Sequence, residues 1–240
     1  QSLICLGLIL VTDIHIEYLP NILFTGQISL GLLSVPFTVF CCVGLMNAFN
    51  MIDGINGLCS GTAMLALLFI GFKSGLIYDS MLVLIIGSMI GFLLFNLRIF
   101  GKKRGVFLGD HGSNLIGFWV AWTAIYSSQN SAYNMEPMTM IWFVAIPLLD
   151  CIGLIISRVN RGKSWSTPGR DHIHHKLMNR FSPEGTLIII LMVTLVAGLF
   201  AIFIENHYPI WVSTICFLFF SLVYYVYAYN HELRKKLKVG

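Results

Sequence analysis

The sequence predicts an all-α protein, a polytopic bundle of transmembrane helices. Hydrophobic residues make up 57% of its 240 residues and charged residues only 11%, against about 25% charged in an average soluble domain. Several apolar runs approach the roughly 20 residues that a helix needs to cross a bilayer, and short polar segments separate them. This composition excludes a soluble globular domain, predicts contact with membrane lipid, and leads us to expect no nucleic-acid partner.

About seven full spans are predicted after a truncated first helix. The run 3–11 has about half the length of a span, so we expect an N-terminally truncated fragment that forms a single transmembrane domain over 1–240. Pro36 is expected to kink the first full span. The full spans are predicted at 28–46, 58–72, 81–97, 114–127, 140–156, 186–204 and 210–229.

The basic residues predict the orientation of the bundle. Fourteen of the 15 lysines and arginines fall in the loops 98–113 and 157–185 or in the tail after 229, and Lys73 falls on the other side. By the positive-inside rule these loops are cytoplasmic, and the polar stretch 47–57 lies on the same side. Every polar cluster described below therefore faces one compartment.

The first polar cluster follows an apolar run and contains Asn47, Asn50, Asp53, Gly54 and Gly57. Its amides and carboxylate are three residues apart, so they fall on neighbouring turns at one helix end. Amides at membrane depth cost free energy unless something pairs with them. The glycines remove side-chain bulk where a ligand could approach the backbone. The stretch is therefore predicted to be a binding site.

The second cluster is Gly109-Asp110-His111-Gly112-Ser113, ahead of the helix expected from residue 114. A helix start offers free N–H groups to an anion, and a carboxylate beside an anion implies a cation between them. Mg²⁺ is the natural candidate because it takes oxygen ligands from protein, phosphate and water. The alternative makes Asp110 a turn residue and Ser113 a helix cap.

The third cluster, Arg170-Asp171-His172-Ile173-His174-His175, lies in the longest cytoplasmic loop, and Arg158 precedes it. The histidines could suggest zinc, but no familiar zinc spacing is present and the neighbouring arginine would repel a metal. Arginine and histidine together favour a diphosphate, to which they donate charge-assisted hydrogen bonds. For the arginines taken singly, contact with lipid headgroups is the alternative.

Two polar residues, Asn96 and Asp150, lie within predicted spans. An intramembrane carboxylate is by default a functional-site hypothesis. Because Asp150 has no ionisable neighbour in sequence, we interpret it as a packing partner between helices rather than a catalyst. The six cysteines show no metal-ligand spacing and are expected to be free thiols.

The three clusters together resemble the polyprenyl-phosphate N-acetylhexosamine-1-phosphate transferases, in the same order along essentially the whole chain. The motifs are Asn-Ala-Phe-Asn-Met-Ile-Asp-Gly from Asn47, Gly-Asp-His-Gly-Ser from Gly109 and Arg-Asp-His-Ile-His-His from Arg170. The resemblance implies a catalytic domain in the bacterial inner membrane that acts at the cytoplasmic face. Such an enzyme transfers N-acetylglucosamine 1-phosphate, or a related sugar phosphate, from UDP-N-acetylglucosamine or its analogue to undecaprenyl phosphate and releases UMP. It would initiate a lipid-linked glycan such as O-antigen or enterobacterial common antigen.

The same resemblance implies roles for individual residues. Asp110 and Asn50 would hold Mg²⁺, with Mn²⁺ as an alternative, and Asp53 would be the catalytic base or a carboxylate beside the metal. The nucleotide-sugar ligands would be Asn47, Gly54, Asn56, Arg158, Arg170, His172, His174 and His175. The chain departs from the family twice: it has no adjacent Asp-Asp pair, and it carries Asn56 where bacterial relatives usually have Asp.

Three alternatives stay open. A small-solute transporter would use Asp150, Asn96 and Pro36 along a midplane pathway, but the polar residues gather at one face and no inverted repeat is present. A non-catalytic membrane fragment would bind lipid phosphate only. Within the enzyme hypothesis, Asp53 could take the phosphoryl group covalently instead of supporting direct transfer. Nothing in the sequence favours one oligomeric state.

Overall fold

The computed structural model describes residues 1–19, 28–133, 135–164, 169 and 171–229, and α-helices dominate this part of the chain. The prediction of an all-α fold is confirmed, with one short antiparallel ribbon, β1 (Tyr18–Leu19) paired with β2 (Ile28–Ser29). The helices are α1 (Ser2–Thr12), α2 (Ser34–Ile52), α3 (Leu58–Ser74), α4 (Ser80–Asn96), α5 (Gly109–Gln129), α6 (Pro137–Phe143), α7 (Ala145–Asn160), α8 (Ile173–Met178), α9 (Pro183–His207) and α10 (Ile210–Ala228).

Three of the described helices are long and apolar enough to cross a membrane. They are α2 with its preceding 3₁₀ turn, which together cover Gly31–Ile52, and the helices α9 and α10. Helices α3 and α4 have 17 residues each, which is about 25 Å at 1.5 Å per residue, less than a hydrocarbon core of about 30 Å. The fold is that of a membrane helix bundle, and the seven predicted spans are not confirmed.

The predicted span 140–156 is not one straight helix. Helices α6 and α7 meet at an angle of 80° around Val144. Pro147 explains the break, because it has no N–H to donate to the carbonyl of Phe143 and its ring clashes with that carbonyl.

Pro36, where we expected a kink, lies in the first turn of α2, where a missing N–H costs no intrahelical bond.

Helix α2 lies at the centre of the bundle and packs against α5 and α7. Its side chains Phe49 and Ile52 are fully buried. Gly117 of α5 makes the closest approach: a Cβ there would lie 2.8 Å from Cα of Met46 and 3.1 Å from Cβ of Phe49. Small residues allow helix backbones to approach in this way. The approach sets the cytoplasmic ends predicted for α2 and α5 side by side.

We predict that Gly117→Ala destabilises the protein, because the added methyl group meets the backbone of α2, which cannot rotate away. The expected cost is about 1–3 kcal/mol, the usual range for overpacking, measured as a lower midpoint of thermal unfolding in detergent. Gly91→Ala in α4 is the matched control, since a Cβ there meets nothing within 4 Å and alanine favours a helix. Equal midpoints for the two variants would contradict the close approach.

Candidate functional site

The first two polar clusters meet where α2 ends and α5 begins. The Asn50 amide nitrogen donates to Oδ1 of Asp110 at 3.2 Å and to Oγ of Ser113 at 2.9 Å. Helix α5 begins at Gly109 rather than at residue 114, so Asp110 lies in its first turn, where the positive end of the helix dipole favours a carboxylate. Ser113 is buried inside the helix, so the alternative that it caps the helix is wrong.

Asp53 adds a second carboxylate beside Asp110. It ends α2 just outside the apolar span and is half-buried. Burial, and then the negative charge of Asp110, raise the pKa of the Asp53 carboxyl to about 6. Two neighbouring carboxylates that resist ionising together either share a proton or attract a cation. Asn50 thus contacts Asp110 directly, and the Asp53 carboxylate lies near enough to Asp110 for their charges to interact.

The third cluster is in direct contact with the first. The His174 ring lies on the backbone of Gly54: a Cβ on Gly54 would be only 1.9 Å from Nε2 of His174. Glycine is required there because any side chain would displace the ring. The chain after α2 and the short helix α8, more than a hundred residues apart in sequence, thus form one surface.

The histidines of α8 and its preceding residue differ in their environments. The rings of His172 and His174 are stacked with centroids 5.5 Å apart, and those of His174 and His175 are 4.2 Å apart. His174 is 1% exposed, and neither ring nitrogen has a hydrogen-bond partner among the described residues. Burial, and then the neighbouring His175, lower the pKa of His174 to about 4. His174 is therefore neutral near pH 7 and cannot offer charge to a diphosphate.

Asp150 belongs to this histidine segment, not only to helix packing as we had expected. It is 1% exposed on α7, and its carboxylate accepts from Nδ1 of His172 at 2.7 Å and from the backbone N–H of Ile173 at 2.9 Å. The hydroxyls of Tyr224 and Tyr229 donate to the same carboxylate. The pairing spans 22 residues of sequence, so inspection of sequence neighbours missed it. The sequence feature that could have indicated a functional role for Asp150 is that carboxylates are rare within membrane spans.

The described residues include only some of the arginines predicted to surround the anion. Arg158 is 5% exposed in the last turn of α7, and its guanidinium lies near Gly169. Arg161 lies 3.8 Å from the Asp171 carboxylate. Arg170 falls outside the described residues. The structure therefore places Arg158 beside Gly169, three residues before His172.

Two other predicted ligands lie apart from the Asn50 contact. Asn47 is exposed and donates to the Val43 carbonyl at 2.7 Å and to Oε1 of Gln1 at 3.0 Å. Asn56 is half-buried in the loop before α3. Neither side chain is hydrogen-bonded to Asn50, Asp53 or Asp110 in the described chain.

Asn96 serves as a structural link that sequence alone did not reveal. Its Oδ1 accepts from the Gly57 N–H at 2.6 Å, and its Nδ2 donates to the Val106 carbonyl at 2.9 Å. It is 4% exposed, so both ends of a buried amide are satisfied. The contact ties the loop after α2 to the loop before α5, and so fixes the two carboxylate-bearing segments relative to each other.

Comparisons with known proteins identify relatives of this chain. Residues 1–128 match the model of glycosyl transferase family 4. The chain is 30% identical over 236 residues to proteins of Salmonella typhi and Escherichia coli K12 named undecaprenyl-phosphate alpha-N-acetylglucosaminyl 1-phosphate transferase. Those alignments cover 95% of this chain, which spans 64% of the length of each relative. A protein of the same name from Haemophilus influenzae is 35% identical over 243 residues, covering 98% of this chain and 68% of the relative.

We predict that a carboxyl group of this site titrates near pH 6 and that it is Asp53. Infrared difference spectroscopy of the protonated carboxyl band should lose this signal in Asp53→Asn. In Asp110→Asn the midpoint should fall, because the neighbouring charge is gone, but stay above the ordinary value because burial is the larger cause. Asp13→Asn, the same chemical change at an exposed helix end, is the control and should not move the midpoint. A midpoint unchanged in Asp110→Asn would contradict the proximity of the two carboxylates.

Proposed function

The chain belongs to glycosyl transferase family 4, and from that premise we propose that it transfers an N-acetylhexosamine 1-phosphate from a UDP-sugar to undecaprenyl phosphate, with release of UMP. The names of the relatives support undecaprenyl phosphate as the acceptor and N-acetylglucosamine 1-phosphate as the transferred group; UDP-N-acetylglucosamine is the donor that we propose. The observation that carries the proposal is the convergence of three distant segments, through Asn50 with Asp110 and Gly54 with His174. The product would begin a lipid-linked glycan of the O-antigen or common-antigen type.

The side chains at the meeting of α2 and α5 fit a magnesium ion. Asp110 and Asn50 offer carboxylate and amide oxygens, which are the ligands Mg²⁺ prefers. The pKa of the nearby Asp53 carboxyl is raised by burial and then by the charge of Asp110, and a cation would offset that charge. Rotation of the Asn50 amide by half a turn presents its oxygen where its nitrogen now donates to Asp110. When bound, the ion would neutralise charge on the phosphate groups. Mn²⁺ accepts the same ligands.

The reaction requires positioning more than covalent chemistry. An oxygen of undecaprenyl phosphate attacks the β-phosphorus of the UDP-sugar in line, and the bond to the bridging oxygen breaks so that UMP leaves with that oxygen. Asp53, with a pKa of about 6, is suited to hold a proton of the acceptor phosphate near neutral pH. His172 and His175, with the arginine-bearing segment beside them, would contact the diphosphate. Holding both substrates in this geometry supplies much of the rate enhancement.

We extend the proposal to the orientation of the domain in the membrane. The whole chain, 1–240, would form one catalytic domain with seven spans in the bacterial inner membrane and the site at its cytoplasmic face. The site residues lie at one end of the helices that carry them, beside the basic loops 98–113 and 157–185. Lys73, predicted on the opposite side, lies in the last turn of α3 and contacts Glu205 at 3.4 Å, at the far end from Gly57. Such a site could receive a soluble nucleotide sugar and a lipid phosphate from the same face.

We predict that Asp110→Asn abolishes UMP release from UDP-N-acetylglucosamine and undecaprenyl phosphate in magnesium-containing vesicles. The loss should be at least about 100-fold, as when one preorganised charge contact is removed from a transition state. The assay is UMP release per folded protein at saturating substrates. Asp13→Asn, the same change at an exposed residue on the opposite side, should keep the activity of the unaltered chain. An active Asp110→Asn variant would reject the assignment of Asp110 to the magnesium site.

Direct transfer also predicts the outcome of an exchange experiment. Without undecaprenyl phosphate, labelled UMP should not enter the UDP-sugar pool, because no step can occur before the acceptor arrives. A route in which Asp53 first takes the sugar phosphate would give exchange without lipid, and Asp53→Asn would abolish it. Exchange that requires Asp53 would therefore replace the direct route with the covalent one.

A further inference from the structure

The buried carboxylate of Asp150 collects hydrogen bonds from two separate segments of the chain. From the segment before and into α8 come Nδ1 of His172 at 2.7 Å and the backbone N–H of Ile173 at 2.9 Å. From α10 and its end come the hydroxyls of Tyr224, at 3.3 Å, and Tyr229. A buried carboxylate is costly unless donors surround it, and here four donors do so.

This arrangement determines which nitrogen of His172 carries a proton. The Ile173 N–H and the two tyrosine hydroxyls donate to Asp150, and an ionised carboxylate that receives them can only accept from its fourth partner, the His172 ring. Nδ1 of His172 must then be the donor, so it is protonated. Nε2 lies on the opposite side of the ring, and the ring's hydrogen bond within the described part of the chain is made through Nδ1. Nε2 is therefore the atom left for a ligand.

Close packing around Tyr229 holds this hydrogen-bond network in place. Gly153, nearly one turn after Asp150, allows Tyr229 to approach, since a Cβ there would lie 2.7 Å from the tyrosine ring. Lys176 of α8 donates to the Ala228 carbonyl at 2.6 Å and lies 3.8 Å from the centroid of the Tyr229 ring. The end of α10 thus holds both the carboxylate on α7 and the helix that carries the histidines.

The network reaches the site through stacked rings. His172 is nearly parallel to His174, with an angle of 11° between the rings, and His174 lies on Gly54 next to Asp53. His172 itself is 8% exposed, so its ring cannot rotate freely. Its orientation is fixed by Asp150 on one side and by His174 on the other.

We propose that Asp150 is a positioning residue: with Tyr224 and Tyr229 it holds His172 protonated at Nδ1 so that Nε2 faces an oxyanion of the nucleotide-sugar diphosphate. The identity of that ligand rests on the proposed function, whereas the protonation of the ring does not. Asp150 acts through His172 and touches no substrate. The carboxylate beneath the catalytic histidine of serine proteases acts on its imidazole in the same way.

The test compares Asp150→Asn and Tyr229→Phe with the matched control Tyr225→Phe. Tyr225 neighbours Tyr229, but its hydroxyl accepts from Asn160 instead of serving Asp150. The first readout is nitrogen NMR of histidine-labelled protein in lipid, with the His172 signal identified by its loss in His172→Gln. The second is steady-state kinetics of UMP release, expressed per folded protein. Together they separate orientation of the ring from loss of folded material.

We expect Asp150→Asn to move the His172 proton from Nδ1 to Nε2, because the amide can donate where the carboxylate could only accept. The value of kcat should fall by up to about 10⁴-fold, the loss in serine proteases with this change, and by more than KM rises. Tyr229→Phe should lower kcat about 10-fold, since one hydrogen bond to a charged group is lost. Tyr225→Phe should change neither readout.

An unchanged His172 signal in Asp150→Asn, or kcat per folded protein equal to that of the unaltered chain, would overturn the proposal and leave Asp150 as a packing residue. If Asp150→Asn does not fold, Tyr229→Phe and Tyr224→Phe carry the test, and unchanged signals in both would overturn it equally. If the unaltered chain releases no UMP, the proposed function fails, while the NMR comparison still decides the role of Asp150.

Discussion

The close packing of α2 on α5 at Gly117 is the contact on which the site depends. A side chain at that position would separate the helices, and the reach of the Asn50 amide to Asp110 and Ser113 leaves little room for separation. Polar groups at the ends of apolar helices must find partners or water. Here the amide and the carboxylate find each other because the backbones behind them touch. The helix packing thus determines where polar chemistry is possible.

The histidine segment is held from two directions by very different means. The His174 ring packs against the backbone of Gly54, and the His172 ring is hydrogen-bonded to the charged carboxylate of Asp150. The first is a steric fit that tolerates no side chain, whereas the second is an electrostatic fit that requires a complete set of donors. Each constraint fixes one ring, and stacking between the rings joins the two.

The break between α6 and α7 has a structural consequence beyond its own helix. At 80° the two pieces leave Val144 in different directions, so α7 runs beside the end of α10 and beneath α8. This course brings Asp150 to Tyr224 and Tyr229 at once. Pro147, which causes the break, lies three residues before Asp150, whose contacts depend on the break. A straight helix would carry Asp150 along a different course.

The sequence by itself determined the class of the protein and the chemistry of its parts. Apolar runs with few charges require helices in a membrane, and the clusters around Asn50, Asp110 and His172 each contain groups suited to phosphate or a cation. These features follow from local composition and spacing, so they can be recognised from the sequence alone. The break at Val144 was also within reach, because Pro147 marks it.

Only the tertiary structure decided which groups meet. The pairing of Asp150 with His172, the packing of His174 on Gly54 and the links from Asn96 to two loops join residues 10 to 120 positions apart. Spacing along a helix cannot predict such contacts, because they depend on how closely and at what angle helices pack. A buried polar side chain shows in the sequence that a partner must exist, but the partner is chosen by the fold.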